Sequence, residues 1–328
     1  MVLGGTWRTP VAMGLQSKTF IKDQKEEGTY NEASFEREYE SVWSGSTEDA
    51  FFNSEIFDKN RVLLQPEYEA SGRSSKGAYY ILSVDVGRKH DNTAICVFKV
   101  TPQPQGAAIK SLVNLYTFED MHMEDQAINI KKLFYKYNAR RVVIDANGVG
   151  IGLVDLMVKP QVDPDTGEIL PDFGVYGGTQ DDAVQEYKKY RTNNTEMDAM
   201  YLIKANAPIN TEAHVNARAQ LSSGKVKLLI EERQAKNKLL GTKVGQNMSP
   251  EERAEYLKPF TLTSILREEI LNLHEENEGV NIILKQSNRG IRKDKFSALE
   301  YGLYYIKQEE DSKKKKKKFN AKDWVFMN

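Results

Sequence analysis

Between residues 78 and 145 the sequence changes its hydrophobic period in a way that few folds accommodate. Three β-branched and aromatic runs, AYYILSVDV (78 to 86), TAICVFKV (93 to 100) and AAIKSLVNLYTF (107 to 118), are separated only by GRKHDN and TPQPQG. Those connectors are turn chemistry, so the three strands form an antiparallel meander. The period then lengthens. EDQAINIKKLFYKYN (124 to 138) sets Ile128, Leu133, Phe134 and Tyr137 on one helical face, with acids in its first turn. RRVVID (140 to 145) returns to a short buried strand and VGIGLVDLMVK (149 to 159) to a helix. In the resulting order, β-β-β-α-β-α, a right-handed crossover lays the fourth strand beside the first and parallel to it.

That topology gives meaning to two carboxylates. Asp85 ends the first apolar strand and Asp145 the fourth, and open α/β sheets place their sites at the carboxyl ends of parallel strands. Neighbouring strands lie ~4.8 Å apart. Two carboxylates on that spacing repel strongly unless a cation stands between them. A third acid, Asp294, stands just before the apolar stripe Phe296, Leu299, Leu303 and Ile306 of the last helical segment, 293 to 308. Alone it is a good helix cap. With the other two it is better explained as part of an oxygen-ligand site for two hard cations. Asp91, in the turn after the first strand, is either an auxiliary ligand or a solvated turn residue. Glu300 stands roughly one and a half turns beyond Asp294 and is expected to point elsewhere.

The remaining chain reads as TEMDAMYLIKANA (195 to 207), a capped helix, TEAHVNARAQLSSG (211 to 224), a second helix, and KVKLLI (225 to 230), a strand. TSILREEILNLHEE (263 to 276) is an amphipathic helix, and VNIILKQ (280 to 286) is a strand that enters the turn SNRG. The Ser- and Gly-rich EASGRSSKG (69 to 77) marks a boundary, with an amphipathic helix expected at NEASFEREYESVW (31 to 43) before it.

Composition narrows the chemistry. The single Cys96 excludes an intrachain disulfide, and one cysteine with four histidines cannot close a Cys/His zinc site, so a metal here must sit on oxygen. No apolar run approaches the ~20 residues of a membrane-spanning helix, and the first residues, MVLGGTWRTPVAMG, lack the pattern of a signal peptide. The expected location is therefore the cytosol. A net charge of −1 conceals two cationic stretches, LKQSNRGIRKDK (284 to 295) and the hexalysine 313 to 318. The hexalysine reads as a disordered tail. The first stretch reads as a hairpin or tight loop beside the acids, with Lys285, Arg289, Arg292 and Lys293 as a cationic rim for DNA and Lys295 beside them.

With these motifs in view the sequence resembles the nuclease domain of the large terminase subunit of tailed bacteriophages, in the ribonuclease H-like, RuvC-like superfamily. SVDVGRKHDNTA looks like its first motif, VVIDANGVGIGLVDLM its second and RKDKFSALEYGLYYI its third. The resemblance covers roughly residues 75 to 308, and YNEASFEREYESVW looks like the segment that follows the motor domain in such subunits. It implies an α/β fold with a mixed five-stranded sheet of order 3-2-1-4-5, strand 2 antiparallel, flanked by helices. It implies an appendage at 1–70, a nuclease domain at 71–308 and a basic tail at 309–328.

Carried over by position, the resemblance makes Asp85, Asp145 and Asp294 the ligands of two Mg²⁺ or Mn²⁺ ions in an endonuclease that cuts double-stranded DNA concatemers with little sequence preference. The implied partners are DNA, a terminase ATPase domain, a small terminase subunit and a portal, in the host cell cytoplasm and without a membrane. One departure stands out. The phosphate loop G-x-x-x-x-G-K-[ST] of the ATPase half is absent from the sequence, so the chain reads as the nuclease half alone. Other readings are a junction resolvase or transposase of the same superfamily, an actin-like ATPase, whose fold also carries DVG and D-x-x-G-x-G, and a packaging scaffold without catalysis.

Overall fold

The computed structural model describes residues 10–11, 13–15, 17, 19, 50–71, 77–87, 92–189 and 197–323. The helix expected at 31 to 43 and Asp91 lie outside these. The elements run α1 (Ser54–Asp58), β1 (Arg61–Leu63), β2 (Tyr79–Asp85), β3 (Thr93–Thr101), β4 (Ile109–Phe118), α2 (Met123–Lys136), β5 (Ala139–Asp145) and α3 (Gly150–Met157). Then follow β6 (Gln161–Val162), β7 (Ile169–Leu170), β8 (Phe173–Gly178), α4 (Asp181–Lys188), β9 (Met197–Ile203), α5 (Ala207–Ser222) and β10 (Val226–Leu229). The chain continues through α6 (Glu232–Leu240), α7 (Lys243–Asn247), α8 (Pro250–Leu271), β11 (Leu273–Glu278), β12 (Asn281–Gln286) and α9 (Asp294–Asp323).

Eight strands form the main sheet in the order β1-β10-β4-β3-β2-β5-β9-β8. Its centre, β4-β3-β2-β5-β9, is the expected 3-2-1-4-5 arrangement. The strand β3 is antiparallel to both neighbours, and β2, β5 and β9 are mutually parallel. This is the sheet topology that the resemblance implies. Five strands undercount it, because β10 and β1 extend one edge and β8 the other. The edge strand β1 has three residues and β8 is FGVYGG, too short or too glycine-rich for a period-2 signal.

Side-chain alternation divides the core into two layers. Ile81, Phe98 and Val143 pack against α5, α8 and α9. Tyr80, Leu82, Val84, Val142 and Ile144 pack on the opposite face against α2, α3 and α4. By the same alternation Ser83 and Asp85 share the face of Ile81, and Asp145 shares the face of Val143. Both acids therefore look toward the layer that contains α9. That helix lies very close to the sheet: a Cβ on Gly302 would come within 2.4 Å of the Phe98 ring and 2.9 Å of the Ser83 Cβ.

Four expectations are corrected. Residues 197–203, read as helix, form β9, which fills the open edge of β5 in register from Val142↔Met200 to Asp145↔Ile203. Ala, Met and Leu favour a helix only locally, and pairing demand on a buried sheet overrides that preference. The helix read through 276 ends at Leu271, and residues 273–278 pair with β12 instead. Residues 50–63, assigned to the appendage, belong to the main body: Phe51, Phe52 and Phe57 are in the same core cluster as α9. Finally, α9 continues to Asp323, so the backbone of the lysine run is helical rather than disordered. Its packed first half removes the cost of nucleation, and Glu309 supports the next turn through Lys313 at 2.9 Å.

Candidate active site

The local sequence explains why β2 and β5 end where they do. After Asp85 the Gly87 N–H donates to Thr93 Oγ1 (2.9 Å), and that hydroxyl donates to Gln126 Oε1 (2.6 Å). Gln126 in turn donates to the carbonyl oxygens of Gly87 and Met121. This buried amide from α2 thus ties Gly87 to Thr93. After Asp145 the chain turns through Gly148, whose φ is +49°, and enters α3 at Gly150. A Cβ there would lie 1.7 Å from the Asp145 carbonyl oxygen, so only glycine lets the helix start against the strand end.

Register sets the acids side by side. Val84 pairs with Ile144 in the parallel β2–β5 ladder, so Asp85 and Asp145, one residue further on and on one face, stand at adjacent strand ends. Burial lifts the Asp85 carboxyl well above its usual value, and Asp145 and then Asp294 push it further, while Lys293 acts in the opposite sense. Burial also raises Asp145, against the hydrogen bond that its Oδ1 accepts from the Asn147 N–H at 3.0 Å and the positive charge of Lys293. Asp294 opens α9, with Arg292 Nη1 3.9 Å from its Oδ2. Helix α9 is held at that point from outside. Glu269 of α8 accepts from Lys295 Nζ and from the Phe296 N–H, each at 3.0 Å.

The structure thus brings Asp85, Asp145, Asp294 and Lys293 into one electrostatic group. It does not bring in Lys295, which is 5% exposed and paired with the 1% exposed Glu269. The expected DNA contact at Lys295 is a correction: an ammonium buried against its own carboxylate is withheld from a phosphate. Lys285 points along the β11–β12 hairpin to an ion pair with Glu276. Arg289 and Arg292 are exposed, in a turn capped by Asn288 Oδ1 on the Gly290 N–H at 2.8 Å.

Two contributors were not legible. Gln126 sits on the apolar face of α2, where a buried polar residue was the available signal. Glu300, expected to point away, is buried and bonded to His214 Nδ1 at 2.6 Å. Its charge is felt at Asp85, and that of Asp145 is felt at Glu300.

The donor chemistry fits a hard divalent cation: oxygen ligands only, desolvated and mutually repelling. Among the described residues no three His, Cys, Asp or Glu side chains are gathered closely enough to hold an ion as they stand. A cleft of about 1080 Å³ lies between residues 120–124 and α3 and includes Gly148 and Val149 of the loop after Asp145, but none of the three acids lines it.

Residues 82–160 match the family model of the Terminase RNaseH-like domain. Asp85, Gln126 and Asp145 lie within that terminase match; Asp294 and Glu300 lie beyond it. Among solved structures, the large terminase nuclease of thermophilic phage G20c with bound magnesium is similar at 14% identity. That match covers 78% of this chain and 97% of the other, with a TM-score of 0.45. The large terminase nuclease domain of Thermus phage P74-26 is similar at 12% identity over 76% and 93% of the two chains, with a TM-score of 0.39. The HK97 bacteriophage large terminase is similar at 10% identity over 90% of this chain and 52% of its own, with a TM-score of 0.41. No curated protein sequence matches.

Proposed function

We propose that the chain is the nuclease part of a terminase large subunit, a metal-dependent endonuclease that cuts double-stranded viral DNA concatemers during genome packaging. One observation carries this reading. Asp85 and Asp145 end adjacent parallel strands on a single face of a ribonuclease H-like sheet, under the helix that Asp294 opens. Asp85, Asp145 and Asp294 would hold two Mg²⁺ or Mn²⁺ ions, with Asp91 as an auxiliary ligand. Such ions supply Lewis-acid stabilisation of the phosphodiester and of the departing 3′ oxygen. The chain's own residues prepare the site. The Asn147 N–H orients Asp145, Glu269 fixes the start of α9, and Lys293 offsets part of the acids' charge before a cation arrives.

Arg289, Arg292 and Lys293 are the groups proposed to meet the DNA backbone, with Lys285 available once released from Glu276. Backbone contacts position a duplex without reading it, so cutting should be largely sequence-independent. A terminase ATPase domain, small subunit and portal are the proposed partners, in the host cytoplasm. Among the described residues no helix is long and apolar enough to cross a membrane.

Supercoiled plasmid incubated with the chain and Mg²⁺ or Mn²⁺ should be nicked and linearised, and EDTA should stop it. Asp85→Asn, Asp145→Asn and Asp294→Asn should each lose cutting while staying folded. Full activity of folded Asp145→Asn would sink the reading. ATP should be neither hydrolysed nor able to change the rate, since the sequence has no phosphate loop.

A further inference from the structure

The lysine run 313 to 318 is the densest stretch of like charge in the chain, and the proposed cutting chemistry does not use it. Its place in the fold follows from how α9 crosses the sheet. Near the start of the helix the Lys295 carbonyl oxygen lies 3.7 Å from Cys96 Sγ, and Cys96 stands opposite Ser83 in the β2–β3 ladder. Further along, Glu309 accepts from the hydroxyl of Tyr79, the first residue of β2, at 3.0 Å and from Arg140 Nη1, near the start of β5, at 3.1 Å. The helix therefore runs against the direction of β2. It carries the lysines off the end of the sheet opposite to Asp85 and Asp145, and at a rise of ~1.5 Å per residue Lys314 stands ~30 Å along the axis from Asp294.

The acids of the preceding turn are already committed. Glu309 holds Tyr79, Arg140 and Lys313, and Glu310 accepts from Lys110 Nζ at 3.1 Å and from the Ala108 N–H at 2.6 Å. From Ser312 to Lys322 the sequence has no acid. Lysines four apart on a helix, such as Lys314 and Lys318, repel each other. The positive charge also continues onto the folded body: the Arg140 guanidinium lies 3.6 Å over the Tyr79 ring, Lys313 Nζ lies 5.4 Å from the same ring, and both side chains reach solvent.

Successive positions from 313 to 318 exceed one turn of an α-helix, so the run occupies every face of it. A folded protein partner reads one face of a helix through spaced apolar anchors, and residues 312 to 318 include none. A partner recognised by charge density alone can meet such a run from any side. Duplex DNA, with one charge per ~1.7 Å of axis, is that kind of partner. We propose that the helical lysine run is a second duplex-DNA contact, remote from the acids, that holds the phosphate backbone and takes no part in cutting. The inference rests on duplex DNA being the substrate, as read above.

Binding of the full chain to a linear duplex in EDTA, where the acids hold no cation, is followed by fluorescence anisotropy across a salt series. The combined variant Lys314→Gln, Lys315→Gln, Lys316→Gln, Lys317→Gln and Lys318→Gln keeps a similar helix propensity. It should flatten log K against log salt by about 1.8–2.7, which is two or three phosphate contacts at ~0.9 each. The plasmid concentration for half-maximal cutting in Mg²⁺ should rise at least about tenfold, with turnover at saturation unchanged. Arginine at the same five positions should keep the wild-type slope. An unchanged slope in the glutamine variant, or a flattened one in the arginine variant, overturns the inference. If the glutamine variant keeps its slope but loses binding to phosphatidylglycerol vesicles, the run is a membrane-surface contact and the inference falls. Reduced turnover at saturating plasmid places the lysines in the cutting itself and also overturns it. A wild-type chain that cuts plasmid in Mg²⁺ but binds no duplex in EDTA overturns this inference alone. One that neither binds nor cuts removes it together with the nuclease reading.

Discussion

Asp85 illustrates how one side chain links sequence, stability and function. Burial first, then Asp145 and Asp294, hold its carboxyl well above the ordinary value. The folded chain therefore retains a proton there that the unfolded chain releases near pH 4. Between those two values the unfolded state binds fewer protons, so the stability of the metal-free protein falls as pH rises. Metal-free Asp85→Asn should accordingly melt above the wild type at pH 7, with the gap closing toward pH 4, as followed by circular dichroism. An equal gap at both pH values would contradict the crowding of the acids. Lys295, the next residue after Asp294, has the opposite character. Lys295→Met strands the buried Glu269 carboxylate and should cost about 3–5 kcal/mol in denaturant unfolding. It should leave the salt dependence of DNA binding unchanged. Arg289→Ala with Arg292→Ala should instead flatten that dependence by roughly 0.9 in log K against log salt per lost phosphate contact. Neighbouring letters in RKDK thus separate into rim, acid and buried brace according to which way each faces at the entry to α9, and for Lys295 that depends on Glu269 of α8.

At the scale of elements, α9 is the part on which the site depends most. Gly302 lets it lie on Phe98 and Ser83, and the same helix carries Asp294 and Glu300. Gly302→Val should destabilise the fold by roughly 1–3 kcal/mol through overpacking. It should also weaken Mn²⁺ binding, since the helix must lift from the sheet that bears Asp85. Unchanged melting and unchanged binding together would show that the helix has slack that this packing does not suggest. The elements read correctly, β2 to β5 with α2 and α3, are those whose periodicity is strong and whose partners are close in sequence. The strand β9 was misread because its identity comes from the open edge of β5, nearly sixty residues earlier, and not from its own Ala, Met and Leu.

For the molecule as a whole, the N-terminal part of the described chain is not a detachable appendage. Phe51, Phe52 and Phe57 are 4%, 0% and 1% exposed, and β1 pairs in parallel with β10. Burying a phenylalanine contributes about 1.5–3 kcal/mol, so the loss of all three approaches the total stability of an ordinary domain. A chain starting at residue 71 should be insoluble or unfold without a cooperative transition, whereas one starting at residue 50 should unfold cooperatively near the full-length midpoint. Cooperative folding of the shorter chain would restore the boundary that the Ser- and Gly-rich linker suggests.

The sequence by itself determined the order of the central elements and the two acids that end strands, because both follow from side-chain period and from the chemistry of turns, which act over a few residues. It also marked Asp294 as the opening of a helix. Only the tertiary structure decided that Asp85 and Asp145 share a face in register, that Glu300 turns inward to His214, that Lys295 is buried, and that residues 50–63 and 197–203 belong to the sheet. Each of these depends on a partner tens to hundreds of residues away. The free energy that selects them, through burial, ladder pairing and the desolvation of charge, exists only once those distant segments meet.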